Sequence, residues 1–123
     1  LEDTGHLESR EQIKNGKLNK LYSITDKGKK LFLEWLSADS DIAMIRDEAL
    51  CRVFFFSHLD EGQIKKELES YLVRLDREIE KLKKLRKSHQ CELTEWKLRA
   101  LDYGIDYYIH MKKSYSAMLN NLK

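Results

Sequence analysis

The chain has 123 residues, which is enough for one compact domain or for a small module with an extension. Charged residues make up 36% and hydrophobic residues 41%, and proline is absent; this favours long amphipathic helices that need a partner to cover them. A formal net charge of +2 excludes wholesale binding to polyanions, so any nucleic-acid contact must come from local basic clusters.

The first predicted element is the end of a helix. Leu1 to Thr4 followed by Gly5 is typical of a last helical turn closed by a glycine. We therefore expect a helical segment before Leu1.

A β-hairpin is predicted next. Polar and apolar residues roughly alternate from His6 to Ile13 and again from Leu18 to Thr25. Asn15-Gly16 lies between them and is a strong signal for a two-residue turn, because both residue types tolerate positive φ.

Two helices of medium length should follow the hairpin. Thr25-Asp26 is an N-cap signal, and the apolar spacing after it predicts a helix that ends near Ser37. The polar segment 38–41 is predicted to be a linker. A wide apolar stripe then predicts a helix from Ile42 to His58.

The last two predicted helices are long. Asp60-Glu61 opens the first, whose leucines and isoleucine recur at coiled-coil spacing from Leu68 to Leu82, and residues 88–92 break it. The second covers residues 93–122 and has two apolar rows, one expected to face its own chain and one a second copy. The residues predicted to form the dimer are Leu98, Leu101, Gly104, Ile105, Tyr108, Met111, Tyr115 and Met118.

A helix end, a hairpin and a helix start in succession have the layout of a winged helix, in which the hairpin, or wing, touches the DNA backbone. Lysine and arginine neutralise phosphates, and serine, asparagine and exposed glycine backbone donate hydrogen bonds to them. The predicted DNA contacts are Ser9, Arg10, Lys14, Asn15, Gly16, Lys17, Asn19 and Lys20. The alternative is that the basic tip is a solvated turn.

The sequence resembles the PadR family of transcriptional regulators. The matching segments are residues 5–10, 15–17 and 20–28 for the wing, 32–36 for the next helix, and Arg46-Asp47-Glu48, Val53-Phe54-Phe55 and 101–105 for the C-terminal domain. Tyr22-Ser23-Ile24-Thr25-Asp26-Lys27-Gly28 is the most specific of these.

The resemblance implies a mainly α fold: a winged-helix β-hairpin remnant followed by four helices, the last two long and coiled-coil-like. Residues 1–37 would be the wing and following helix of a truncated winged-helix domain, and 38–123 a helical dimerisation domain. It further implies a repressor that binds operator DNA as a homodimer. Because the family's DNA-reading helix lies upstream of the wing, we expect this chain alone to dimerise but to bind DNA weakly or not at all.

A small aromatic effector is the remaining partner that the resemblance suggests, and Trp96, Tyr103 and Tyr107 are the candidate pocket. Aromatic residues at helical spacing are more often core or dimer-seam residues, and we favour that interpretation.

Other functions find little support. His89-Gln-Cys91 is the nearest approach to a metal-ligand spacing, and neither a metal, a cofactor nor an enzymatic site is predicted. The absence of a long apolar run and of a signal-peptide pattern predicts a cytoplasmic protein without a membrane anchor. A helical adaptor that does not bind DNA is the alternative function.

Overall fold

A computed structural model describes residues 1–122 of the chain. Within these residues a two-stranded antiparallel sheet is followed by four α-helices, so the predicted mainly α fold, with a hairpin ahead of four helices, is confirmed. The chain divides into two compact units, Leu1–Ile45 and Arg46–Lys123, and each is described by itself.

The first unit begins with a glycine-closed turn. Gly5 has φ +75°, its N–H donates to the Glu2 carbonyl at 2.9 Å, and the His6 N–H donates to the Leu1 carbonyl at 2.9 Å. These two bonds are the Schellman pattern, which closes helix C-termini with a glycine in the left-handed region. The predicted stop at Gly5 is confirmed.

The hairpin consists of β1, Leu7–Lys14, and β2, Lys17–Ile24. Asn15 and Gly16 connect the strands with φ +52° and +73°. Positive φ at both central residues is the type I′ geometry, whose twist matches that of the strands. The predicted hairpin is therefore confirmed, and the short turn fixes its register.

Helix α1, Asp26–Ser37, starts against the base of the hairpin. The Thr25 hydroxyl caps it by accepting from the Gly28 N–H at 3.1 Å and also donates to the Gly5 carbonyl at 2.7 Å. Gly28 is buried, and a Cβ there would lie 2.1 Å from the His6 carbonyl oxygen. Only glycine allows this approach between helix and strand.

In the second unit, helix α2 is much shorter than predicted. It spans Glu48–Phe54, a 3₁₀ turn follows at Phe56–His58, and the predicted helix from Ile42 to His58 is wrong at its N-terminal end. Asp47 has extended backbone angles, and its carboxylate accepts from the N–H groups of Ala49 and Leu50 at 2.8 and 3.2 Å. This side-chain cap starts the helix at Glu48.

Helices α3, Glu61–His89, and α4, Glu95–Asn120, form the body of the unit. Asp60 and Gln63 make a reciprocal capping box at the start of α3. Thr94 caps α4, which therefore begins two residues later than predicted.

The two long helices are antiparallel. Arg86 pairs with Asp102 near the connecting turn, and Lys112 pairs with Asp76 at 2.6 Å further along. The buried side chains between them are Leu68, Leu75, Ile79, Ile105 and Tyr115. Ala49, Val53 and Phe56 pack against this core from the α2 side.

Candidate nucleic-acid interface

The strand register sorts the predicted DNA contacts between the two faces of the hairpin. Directly opposed residues share a face, and successive pairs alternate between faces. Lys14 opposes Lys17, and four pairs further along the strands Arg10 opposes Leu21, so these three cations share one face. Asn19 lies on the same face, where it opposes Gln12.

We call Arg10, Gln12, Lys14, Lys17 and Asn19 the cationic face. All five are exposed, and none of the three cations forms an ion pair within residues 1–122. The carboxylate on this side of the sheet, Glu8, is at the base of the hairpin, opposite Ser23. Sequence reasoning missed Gln12, although the two-residue alternation of a strand places it between Arg10 and Lys14.

Two of the predicted contacts lie on the opposite face. The Ser9 hydroxyl donates to the Glu2 carboxylate, and Lys20 stands across from Glu11. Ile13 and Leu18, exposed at 78% and 66%, form the outermost pair of that face. Asn15 and Gly16 form the turn that connects the two strands, and they belong to neither face. The structure thus brings four of the eight predicted residues onto one surface and separates Ser9 and Lys20 from it.

The eight residues predicted to form the dimer lie on the side of α4 that meets α3. Ile105 and Tyr115 are buried, and Tyr108, Met111 and Met118 pack on or beside the core of the same chain. The remaining three, Leu98, Leu101 and Gly104, are half-buried. Their role in a dimer stays a prediction.

The predicted effector residues are on the exposed side of α4. Trp96, Tyr103 and Tyr107 are 75%, 74% and 44% exposed. The Arg99 guanidinium lies 5.1 Å from the Trp96 ring centroid, a cation–π distance. None of the three lines the cleft of the second unit described next, and a ligand site made from them stays a prediction.

The second unit contains an open cleft of about 750 Å³ between the α2 segment and the long helices. Tyr71 and Tyr115 meet there edge to face, with ring centroids 4.7 Å apart. Burial, with a smaller contribution from the negative charge of Asp47, raises the pKa of Tyr115 to about 12. The same two causes raise the pKa of Tyr71, so both phenols stay protonated at neutral pH.

Comparison with known proteins places the chain in a family. A family model described as virulence activator alpha C-term matches residues 45–113, more than half of the chain. The chain belongs to this family. No curated protein sequence matches the chain significantly.

Solved structures show the fold over nearly the whole chain. Streptococcus mutans smu.1604c aligns with TM-score 0.86 and 24% identity, covering 98% of this chain and 72% of that one. The PadR-like transcriptional regulator BC1756 from Bacillus cereus gives 0.82 and 23%, covering 99% and 70%. Bacillus subtilis PadR in complex with operator DNA gives 0.80 and 18%, covering 99% and 73%, and PadR has also been solved with p-coumaric acid. The fold expected from the PadR resemblance is confirmed.

No helix among residues 1–122 combines the length and apolarity needed to cross a bilayer. The same residues contain no group of three or more histidine, cysteine or acidic side chains arranged to hold a metal ion.

Proposed function

We propose that this protein is a cytoplasmic, PadR-like transcription regulator that represses by binding operator DNA as a homodimer. The observation that carries the proposal is the cationic face of the hairpin. Its three cations are exposed, they form no ion pair within residues 1–122, and amide side chains stand beside them. The solved complex of Bacillus subtilis PadR, a protein of the same fold, with operator DNA supports a nucleic acid as the ligand.

The chemistry of the cationic face suits a phosphate backbone better than base edges. Arg10, Lys14 and Lys17 supply positive charge, and Gln12 and Asn19 can donate amide hydrogen bonds to phosphate oxygens. Each phosphate that a cation neutralises releases counterions and adds about 0.9 to the slope of log K against log salt. The wing therefore positions the protein on DNA and contributes affinity that falls with salt.

A homodimer would cover apolar surface that one chain leaves open. Tyr103 and Trp96 are both about three-quarters exposed, on the side of α4 opposite the half-buried Leu98, Leu101 and Gly104. A large exposed aromatic patch on a helix is typical of an interaction surface. We propose that a second copy packs along this side of α4.

The same surface is our proposed place for a small aromatic effector. Trp96, Tyr103 and Tyr107 could stack on a planar ligand, and a second copy would close the open side of such a pocket. The complex of PadR with p-coumaric acid is a precedent for a small aromatic ligand in this fold.

The test compares two lysine variants on the two faces of the wing in the intact protein. Lys17→Ala should weaken binding to operator and to unrelated DNA alike and reduce the salt slope by about one, because it removes a phosphate contact. Lys20→Ala decides whether the opposite face also contacts DNA. Lys65→Ala, which removes a lysine from α3 near Glu69, is the charge-matched control and should leave affinity unchanged.

Two results would contradict the wing assignment. If Lys17→Ala leaves DNA affinity and its salt slope unchanged, the cationic face does not contact DNA. If it instead abolishes discrimination between operator and unrelated DNA, the wing reads bases. Fluorescence anisotropy over a series of salt concentrations measures both quantities.

A helical adaptor is the second candidate, favoured by the exposed apolar side chains of the second unit. Phe54 is 81% exposed and Phe55 is 55% exposed. If the intact protein lacks salt-dependent DNA affinity but forms a stable complex with another protein, the adaptor function replaces the regulator.

A further inference from the structure

An apolar pair lies uncovered near the tip of the wing. Ile13 and Leu18, here called the tip pair, oppose each other next to the turn and are 78% and 66% exposed. Leu7, on the same face at the base of the hairpin, is half-buried instead. Cross-strand apolar pairs stabilise hairpins modestly, but a mutual contact that leaves both residues mostly exposed accounts for little of their apolar surface. The tip pair is therefore available to a partner.

The charge around the tip pair suits a polyanion. The segment 12–19, which forms the outer part of the hairpin, contains two lysines and no acidic residue. The first carboxylate towards the base, Glu11, stands opposite Lys20. Neither Lys14 nor Lys17 forms an ion pair within residues 1–122. A partner that covers the tip pair must lie beside these two cations, so DNA matches this surface in charge.

The two faces of the wing tip point in opposite directions, because successive residues of a strand alternate between faces. Lys14 and Lys17 lie on one face of the sheet and the tip pair on the other. Only a groove, with a DNA wall on each side, can contact both faces at once. Deoxyribose rings, the apolar part of the DNA backbone, line the minor groove between two rows of phosphates. In the major groove the cationic face would lie over base edges, which does not agree with the phosphate contact proposed above.

The minor groove must deform to accept the wing tip. It is about 6 Å wide in B-DNA, whereas a sheet with side chains on both faces is about 10 Å thick. Minor-groove proteins that insert leucine or isoleucine between base steps partly unstack the bases and kink the duplex by about 20–90°. Entry of a tip that carries Ile13 and Leu18 therefore requires a bend in the DNA.

We propose that the tip pair is a wedge that enters the minor groove of bound DNA and bends it. The inference rests on the proposed DNA contact of the wing and adds a shape requirement to it. Lys14 and Lys17 neutralise phosphates on one wall of the groove, while the wedge contacts sugars and the faces of partly unstacked bases. Because flexible pyrimidine–purine steps bend at low cost, DNA with such a step under the wing binds more tightly.

The experiment measures DNA bending and salt-dependent affinity of the intact protein. The probe is a duplex that the parent protein selects from a random-sequence pool, labelled at its two ends for fluorescence energy transfer. Ile13→Thr/Leu18→Thr should reduce the bend and weaken binding by about tenfold at every salt concentration, because it removes apolar contact and no charge. Lys17→Ala should do the reverse, lowering the salt slope by about one while the bend remains.

Threonine suits this test because β-branched residues are favoured in strands, so the hairpin keeps its strand propensity. Val73→Thr is the matched control. Val73 is 51% exposed on α3, in the second unit, and its replacement should leave the bend, the affinity and the salt slope as in the parent.

Three results would disprove the wedge. One is a straight duplex in the parent complex, and another is a double threonine variant that bends DNA like the parent. The third is a salt slope that falls together with the affinity of that variant, since the tip pair would then only hold the hairpin and its cations in shape. A parent without salt-dependent DNA affinity refutes the regulator, whereas salt-dependent binding without a bend refutes the wedge alone.

Discussion

The packing around Gly28 explains why a glycine follows Thr25-Asp26-Lys27 in the most specific segment of the PadR-like wing. The residue is in the first turn of α1, where a helix does not ordinarily need glycine. Its missing side chain lets the His6 carbonyl approach, and an added Cβ would stand 2.1 Å from that oxygen and 2.8 Å from the Ile24 Cγ1. The glycine therefore sets how closely α1 and the hairpin base can pack.

Replacing Gly28 with alanine should destabilise the first unit. Because the clash is with backbone and cannot be relieved by a side-chain rotation, we expect a loss of about 1–3 kcal/mol in the free energy of unfolding. Chemical denaturation measures it. Gly104→Ala is the matched control, since nothing lies within 4 Å of the added Cβ on α4.

The control should change stability in the opposite direction. Alanine is favoured over glycine in a helix interior by about 1 kcal/mol, so Gly104→Ala should stabilise the second unit. If Gly28→Ala were as stable as the parent, the close approach between α1 and the His6 carbonyl would be disproved.

At the scale of elements, the α3–α4 hairpin is clamped near its turn by an ion pair. The Arg86 guanidinium donates two hydrogen bonds to the Asp102 carboxylate, the one from Nη2 measuring 3.1 Å. The hydrogen bond from Arg86 is the main cause that holds the pKa of Asp102 below the usual 3.8, and the charge of Arg86 adds to it. Both side chains are partly exposed, so the energetic effect is screened.

This pair predicts a pH dependence of stability on the acid side. A carboxyl whose pKa is lower in the folded than in the unfolded state stabilises the fold above its unfolded pKa, and this is lost as the pH falls through the folded value. The parent should therefore lose stability from about pH 4 downwards more steeply than Asp102→Asn. Asp106→Asn, on the exposed side of α4, should follow the parent curve in thermal melts. Identical acid-side slopes for all three proteins would contradict the clamp.

The sequence predicted those elements whose start and stop signals are local. Asn15-Gly16, Thr25 and Asp60 each act on neighbouring backbone, and the elements they delimit were placed to within a residue or two. The segment before α2 was not, because its apolar spacing continues through Ile42 and Ile45, and the serine and aspartates of segment 38–41 are residue types that can also cap a helix. The helix begins after Asp47, whose carboxylate accepts hydrogen bonds from two N–H groups.

The candidate sites were less predictable, since they depend on which elements meet. Spacing of three and four residues marks Tyr115 as belonging to a covered face of α4, but it does not say which helix covers it. The structure covers it with Leu68 and Leu75 of α3. The cleft beside it is lined by residues as far apart in the sequence as Asp47 and Tyr115. No short stretch of sequence brings these residues together, so no local pattern predicts the cleft.

For the whole molecule, the main expectation is self-association through α4. The full chain should sediment as a dimer at tens of micromolar, because Trp96 and Tyr103 would otherwise leave large aromatic surfaces in water. Tyr103→Arg should shift the protein towards monomer by placing a charge in the interface. Tyr22→Arg, at a side chain of the hairpin that is 54% exposed, is the control and should stay dimeric. A parent chain that is monomeric at this concentration would contradict the proposed dimer.

The type I′ turn at Asn15-Gly16 also bears on how strongly the wing can bind. Every residue of β2 is exposed, and a two-stranded ribbon on its own is only marginally stable in water. When a ligand binds a fluctuating hairpin, part of the binding free energy is offset by the conformational entropy lost as the hairpin becomes ordered. A turn that holds the strands in register in the free protein reduces the entropy that is lost when phosphates bind. Two uncharged residues therefore govern how much of the attraction of Arg10, Lys14 and Lys17 is realised as affinity.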